Sequence, residues 1–198
     1  MGKRFTRIVK LVLICVLAAG ANYLLNTLSV YIIKIPLFLD TVFNAAVCFT
    51  VGIIPGIATA LLTYAATSIR NGSFDPFILC AIAEVLIIWR LKPAEYPKPA
   101  ATLTSLVSVF ARLMLLYITC CITISILGGV IDYFYYGVLL NPKQYFSAED
   151  TFKIGLLQSG IPILTLNILS RIPVNLVDRF IVISGGYFIS CGLKRFFR

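Results

Sequence analysis

The chain has 198 residues, of which 60% are hydrophobic and 13% charged, with a formal net charge of +9 and no histidine. A mean hydropathy of +0.96 excludes an ordinary soluble domain and reads as a polytopic membrane protein in one integral membrane domain, residues 1–198. The Lys and Arg residues gather at the ends of apolar segments, not on a soluble face with interleaved aromatics, so they report topology and no nucleic-acid partner is expected.

Lys3, Arg4, Arg7 and Lys10 flank an apolar run from Ile8 to Ile33. About 20 apolar residues suffice to cross a hydrocarbon core of about 30 Å, so this run is a first span. Ala19-Gly20-Ala21 imitates a signal-peptide cleavage site, but the run continues through Tyr23, Leu24 and Leu25, which favours retention. The myristoylation pattern Met1-Gly2-Lys3-Arg4-Phe5-Thr6 and the glycosylation pattern Asn71-Gly72-Ser73 are short enough to arise by chance.

After Lys34 and Pro36, the stretch from Leu37 to Ile69 is too long for one untilted span. Gly52-Ile53-Ile54-Pro55-Gly56 predicts a tight turn that divides it into a second and a third helix. Both are rich in small residues (Ala45, Ala46, Gly56, Ala60, Ala65, Ala66), which let helix backbones approach closely in lipid.

A fourth helix follows the polar turn Arg70 to Pro76 and ends at Trp89-Arg90, an interfacial pair. Three prolines make Leu91 to Ala100 a surface loop. A fifth helix is expected from about Ala101 to Leu127, after which Gly128-Gly129 predicts the start of the longest connection, with the aromatic run Asp132-Tyr133-Phe134-Tyr135-Tyr136. Ser147-Ala148-Glu149-Asp150 resembles a capping sequence for a helix over Thr151 to Ser170, expected on the outer side without crossing. The sixth span is then Ile172 to Leu193.

Arg90, Lys92 and Lys98 between the fourth and fifth spans, and Lys194, Arg195 and Arg198 after the sixth, join the N-terminal cluster on one side. The positive-inside rule makes that side cytoplasmic. The expected fold is therefore all-α, a bundle of six transmembrane helices with both termini cytoplasmic.

Six cysteines, Cys15, Cys48, Cys80, Cys120, Cys121 and Cys191, lie within apolar runs without C-x-x-C spacing. They read as small buried apolar residues, and neither a metal site nor a cofactor is expected.

Charges inside the spans carry the functional signal, because each costs roughly 2.5–3.5 kcal/mol in hydrocarbon unless it meets a partner or water. Asp40 and Asn44 fall in the outer part of the second helix, and Asn175, Asp178 and Arg179 in the outer part of the sixth. Glu84 and Arg112 are expected near mid-membrane, where an ion pair between them is the plain structural reading. Asn175 and Arg179 share a helix face at i and i+4, with Asp178 beside them. That face either presents polar groups to a ligand or is satisfied locally, with Asp178 paired to Arg171 or Arg179 and Asn175 capping a helix that starts after Pro173. Nothing forms a catalytic set: there is no His, no nucleophile elbow and no Gly-rich phosphate loop, so an enzyme is not expected and any ATP-driven step falls to a partner.

Ile35-Pro36-Leu37-Phe38-Leu39-Asp40-Thr41, Gly52-Ile53-Ile54-Pro55-Gly56 and Ile172-Pro173-Val174-Asn175-Leu176-Val177-Asp178-Arg179 together resemble the substrate-capture (S) components of energy-coupling factor vitamin transporters. The resemblance extends over most of the chain. It implies a multi-pass protein of a bacterial or archaeal cell membrane that binds a small vitamin-like substrate from outside. An energising transmembrane subunit with a pair of ATPase subunits then drives release inward. Asp40, Asn44, Glu84, Arg112, Asn175, Asp178 and Arg179 are the candidate substrate-binding residues. The family's Ala-x-x-x-Ala docking surface on the first helix is matched only loosely, by Cys15, Ala18 and Ala19. A membrane sensory module and a small intramembrane enzyme are the competing classes.

Overall fold

The computed structural model describes residues 2–33, 37–93, 103–139, 148–156 and 160–196. Lys34, Pro36, the proline-rich loop 94–100, Ala101 and Ser147, all used in the sequence reading, lie outside them. The described residues form helices joined by turns and short loops: α1 (Gly2–Thr27), continued as a π-helical turn (Leu28–Ile33); α2 (Val42–Thr50); α3 (Ile53–Asn71); α4 (Ile78–Leu91); α5 (Leu103–Ile131), continued as a π-helical turn (Asp132–Val138); α6 (Ala148–Leu156); and α7 (Ile163–Phe196). Among the described residues, four stretches are long and apolar enough to cross a membrane: Phe5–Val30, Ile53–Asn71, Leu103–Val138 and Ile163–Lys194. The all-α, membrane-protein expectation holds at that level.

The exposure pattern follows the solvent that such helices require. Val12, Leu13, Val16, Leu17 and Leu24 of α1 and Val107, Phe110, Leu115, Ile118 and Ile122 of α5 are exposed. Asn22, Asn44, Thr59, Thr63, Glu84, Ser170 and Asp178 are buried. Lipid rewards apolar surface, so polar side chains satisfy one another inside the bundle.

Side-chain contacts fix the relative directions of the helices. Cys15 meets Pro55, Asn22 meets Thr63 and Asn26 meets Arg70, so α1 and α3 run parallel. Thr41 meets Arg179 and Phe49 meets Tyr187, so α2 and α7 run parallel. Ser125 meets Asn175 while Gly128 abuts Arg171, so α5 and α7 run antiparallel. The start of α1 and the end of α7 therefore lie at the same end of the bundle as the 51–52 turn. The 72–77 loop and the 132–138 turn lie at the other.

The predicted turn between the second and third helices is present. Gly52, at φ 132°, takes a conformation that L side chains rarely adopt, and α3 begins at once with Pro55 in its first turn. The resulting α2 has 9 residues and α4 has 14, about 14 Å and 21 Å at roughly 1.5 Å per residue. Neither alone matches a hydrocarbon core of about 30 Å.

Three boundaries depart from the sequence reading, the first being that α2 starts at Val42 and not at Leu37, so Asp40 lies ahead of the helix and not in its outer part. Gly128-Gly129 does not open a connection; α5 runs through both to Ile131. A Cβ on Gly129 would lie 2.7 Å from the Ile168 Cα, and one on Gly128 would lie 2.7 Å from Arg171 Nη1. These glycines let α5 and α7 touch backbone to backbone, which is packing and not chain reversal. The sixth helix likewise begins at Ile163, not Ile172, and carries Pro173 in its interior. The proline forfeits one backbone hydrogen bond, but Leu166, Asn167, Ser170 and Arg171 are all buried upstream of it, and their packing holds the helix together. Instead of one helix over 151–170, the chain forms short α6, a turn at Gly160, and the first turns of α7.

Candidate functional site

The apolar core joins α2, α4, α5 and α7 through Ala45, Cys48, Phe49, Val85, Ile88, Leu116, Cys120, Val182 and Ile183. It positions a cluster of charges at mid-bundle. Arg179, near the midpoint of α7, is 4% exposed, Glu84 of α4 1% and Asp178 0%. Arg179 Nη1 donates to Glu84 Oε2 at 2.6 Å and to Thr41 Oγ1 at 3.2 Å, and Nη2 donates to Asp178 Oδ2. Asp40, ahead of α2, is buried beside them, accepts a hydrogen bond from the Tyr64 hydroxyl of α3, and lies within electrostatic reach of Asp178 and Arg179. Glu84 Oε1, Arg179 Nε and Asn44 Nδ2 are buried without a hydrogen-bond partner among the described residues.

Asn44 sits in the first turn of α2, and its Oδ1 accepts from Asn22 Nδ2 at 2.9 Å. Asn22 also donates to Thr63 Oγ1 at 3.3 Å and accepts from the Phe43 N–H at 2.9 Å. This amide ties α1, α2 and α3 together. Higher on the α1–α3 seam, Arg70 donates to Thr27 Oγ1 and Asn26 Oδ1 and lies over the Tyr23 ring at 5.0 Å.

A second charged tier closes the 72–77 end. Arg171 pairs with Asp132 at 3.0 Å and lies 4.6 Å from the Phe77 ring centroid, which stacks on Tyr136 at 6.3 Å. Lys153 of α6 bridges Asp132 at 2.7 Å and Asp150 at 3.3 Å, so this short helix is pinned to the bundle through its charge. In the neighbouring loop, burial pushes the Asp75 carboxyl above its ordinary value, against the pull of the Phe77 N–H and of Arg70 and Arg171. Between the tiers Asn175 Nδ2 donates to Ser125 Oγ at 2.9 Å.

The structure thus gathers Asp40, Glu84, Asp178 and Arg179 into one cluster, with Asn44 on its flank and Asn175 one turn away. Arg112 is not part of it. Its side chain is exposed on α5, and the expected Glu84–Arg112 pair is replaced by Glu84–Arg179. The cause is rotational: position 112 falls on the outward face of α5, whereas α7 turns Arg179 inward. The expected depth of Asp178 and Arg179 also changes, because the earlier start of α7 moves them from its outer part to its middle. Asn175 caps no helix start. Asp178 does pair locally, with Arg179, while Arg171 turns to Asp132.

Cys15, Ala18 and Ala19 are buried inside the chain at 6%, 7% and 7% exposure, and the Cys15 thiol donates to the Pro55 carbonyl. Their small size lets α1 approach α3, so the suggested docking surface is an internal seam.

Tyr64, Asn22, Asn26, Thr63 and Lys153 were not singled out from the sequence, Thr41, Arg70 and Asp132 entered only as members of longer motifs, and Arg171 was expected as a partner of Asp178 and pairs instead with Asp132. Spacing carried a signal for several of them. Asn167, Arg171, Asn175 and Arg179 recur every four residues on α7, as do Thr59, Thr63 and Thr67 on α3. No protein family, curated protein or solved structure matches the chain.

Proposed function

We propose that the protein is a membrane-embedded solute-capture subunit of the S-component kind. It takes up a small vitamin-like compound at the Arg179 cluster and passes it inward with an energising transmembrane subunit and a pair of ATPases. The observation that carries this reading is the trio of buried, unpartnered polar atoms on three elements, Glu84 Oε1, Arg179 Nε and Asn44 Nδ2, around one ion-paired cluster. Unsatisfied groups in an apolar bundle are costly, and a polar solute that hydrogen-bonds them offsets that cost.

The alternation of α1, α2, α3, α4, α5 and α7 between the two ends supports six crossings. In this reading α2 and α4 are completed by the segments flanking them, and the 51–52 end is cytoplasmic. The basic residues Arg90, Lys92 and Lys194 lie toward that end, in keeping with the positive-inside rule. Solute then enters from the 72–77 end, past the Asp132–Arg171–Lys153 tier.

Small molecules released by denaturing protein that was purified from rich medium in mild detergent test the reading. Mass spectrometry is expected to find one compound at close to one equivalent per chain. A folded protein that releases nothing overturns it.

A further inference from the structure

Resting on the solute-capture reading, the charges around Arg179 specify what the solute carries. Asp40 ahead of α2, Glu84 on α4 and Asp178 on α7 bring three carboxylates to the level of one guanidinium. Arg179 divides its two terminal nitrogens between Glu84 and Asp178. Asp40 forms no ion pair among the described residues. It accepts from Tyr64 and feels the like charges of Asp178 and Asp75 as well as the opposite charge of Arg179. Of the nearby cations, buried Arg171 pairs with Asp132, and half-buried Arg70 donates to Asn26 and Thr27.

A second observation concerns the free oxygen of Glu84. Glu84 is 1% exposed, and its Oε1 is a buried acceptor with no donor. An N–H donor bearing positive charge satisfies it through a charge-assisted hydrogen bond. A bare metal ion does not fit the geometry: no group of three or more His, Cys, Asp or Glu side chains among the described residues converges to hold one.

We infer that the solute is a small organic cation, a protonated amine or N–H-bearing ring nitrogen, whose charge lies against Asp40 and Glu84 and donates to Glu84 Oε1. Arg179 then sets the depth of the site and balances Asp178, and is not itself the recognition element for an anion.

The test uses three near-isosteric probes, benzylammonium, benzyl alcohol and benzoate, added to extensively dialysed full-length protein in detergent. Thermal unfolding midpoints are followed as each probe is titrated. Benzylammonium is expected to raise the midpoint with a half-saturating concentration about tenfold or more below that of benzyl alcohol, a difference of about 1.4 kcal/mol, and benzoate to give no shift. Asp40→Asn and Glu84→Gln, each first checked for a monodisperse, helical protein, are expected to lose the preference for the ammonium, and Arg112→Ala to keep it. Equal shifts from all three probes, no shift from any, or a preference for benzoate overturns the assignment. Mass spectrometry of the released compound separates this failure from failure of capture itself: a neutral or acidic compound keeps capture and removes the cation, whereas empty protein removes capture.

Discussion

Glu84 and Arg179 are separated by 95 positions in the chain and meet at 2.6 Å in the middle of the bundle, joining α4 to α7. Neither is an isolated polar defect, because Asp178, Thr41 and Asp40 complete the surroundings of the guanidinium. Removing one member of such a group leaves the others buried and uncompensated, which costs far more than the intact pair contributes.

Arg179→Met is accordingly expected to destabilise the protein by about 3–5 kcal/mol. Adding Glu84→Gln removes one of the stranded charges and is expected to recover part of that loss. Thermal or denaturant unfolding in detergent of the two single variants and the double variant measures the coupling. Strict additivity contradicts a shared cluster.

Arg112→Ala provides the contrast within the same residue type. The side chain is exposed on α5, so the substitution is expected to change stability by no more than about 0.5 kcal/mol. Solute occupancy should also stay at the wild-type level, and a marked fall in it would place Arg112 back in the site.

Gly129→Ala probes the seam between α5 and α7. The added methyl would lie 2.6–2.8 Å from Ile168 atoms, two of them backbone. The helices must therefore separate, at an expected cost of about 1–3 kcal/mol. Gly20→Ala on α1, where nothing lies within 4 Å of the added carbon, serves as the control. Equal unfolding midpoints for the two variants count against the close approach.

Asp75 gives a pH dependence with a definite sign. Its carboxyl is raised by burial in the folded protein, so the folded state holds the proton more tightly than the unfolded chain. Stability contributed by this group is then full below the unfolded carboxylate range, about pH 3.9. It is lost as pH rises through the higher folded value. Asp75→Asn keeps an oxygen acceptor for the Phe77 N–H, now 3.0 Å from Oδ1, and removes the titration. Its unfolding midpoint is expected to match wild type in acid and to exceed it increasingly toward neutral pH. A constant difference across that range would assign the effect to something other than the carboxyl.

The sequence reading recovered helix identity where apolar length or glycine chemistry decided it, as at Ile8 to Ile33 and at Gly52. It misplaced boundaries where tertiary packing overrode local signals. Gly128-Gly129 looked like a loop opening because glycine weakens an isolated helix, yet the pair admits α7 at short range. Pro173 looked like a helix start because proline is favoured in a first turn, yet burial of Asn167, Ser170 and Arg171 carries the helix back to Ile163.

For the buried cluster, the cost of charge in an apolar segment pointed to Asp40, Glu84, Asp178 and Arg179, and equally to Arg112, which lies outside it. Pairing was not legible in the same way. Estimated depth matched Glu84 to Arg112 equally well, and only helix rotation and the true start of α7 bring Arg179 to Glu84. The uncharged residues Asn22, Thr41, Thr63 and Tyr64 were missed because a single hydroxyl or amide in a span raises little suspicion. The four-residue recurrences on α3 and α7 were the pattern available to expose part of this buried polar network.

Solute occupancy tests the central claim most directly. Wild type, Glu84→Gln and Arg112→Ala are purified in parallel from rich medium, confirmed as folded and monodisperse, and denatured for mass spectrometry of what they release. About one equivalent of a single compound from wild type and Arg112→Ala, with a severalfold loss from Glu84→Gln, is the predicted result. Empty wild-type protein, or equal release from all three, would contradict a binding site at the Glu84–Arg179 cluster.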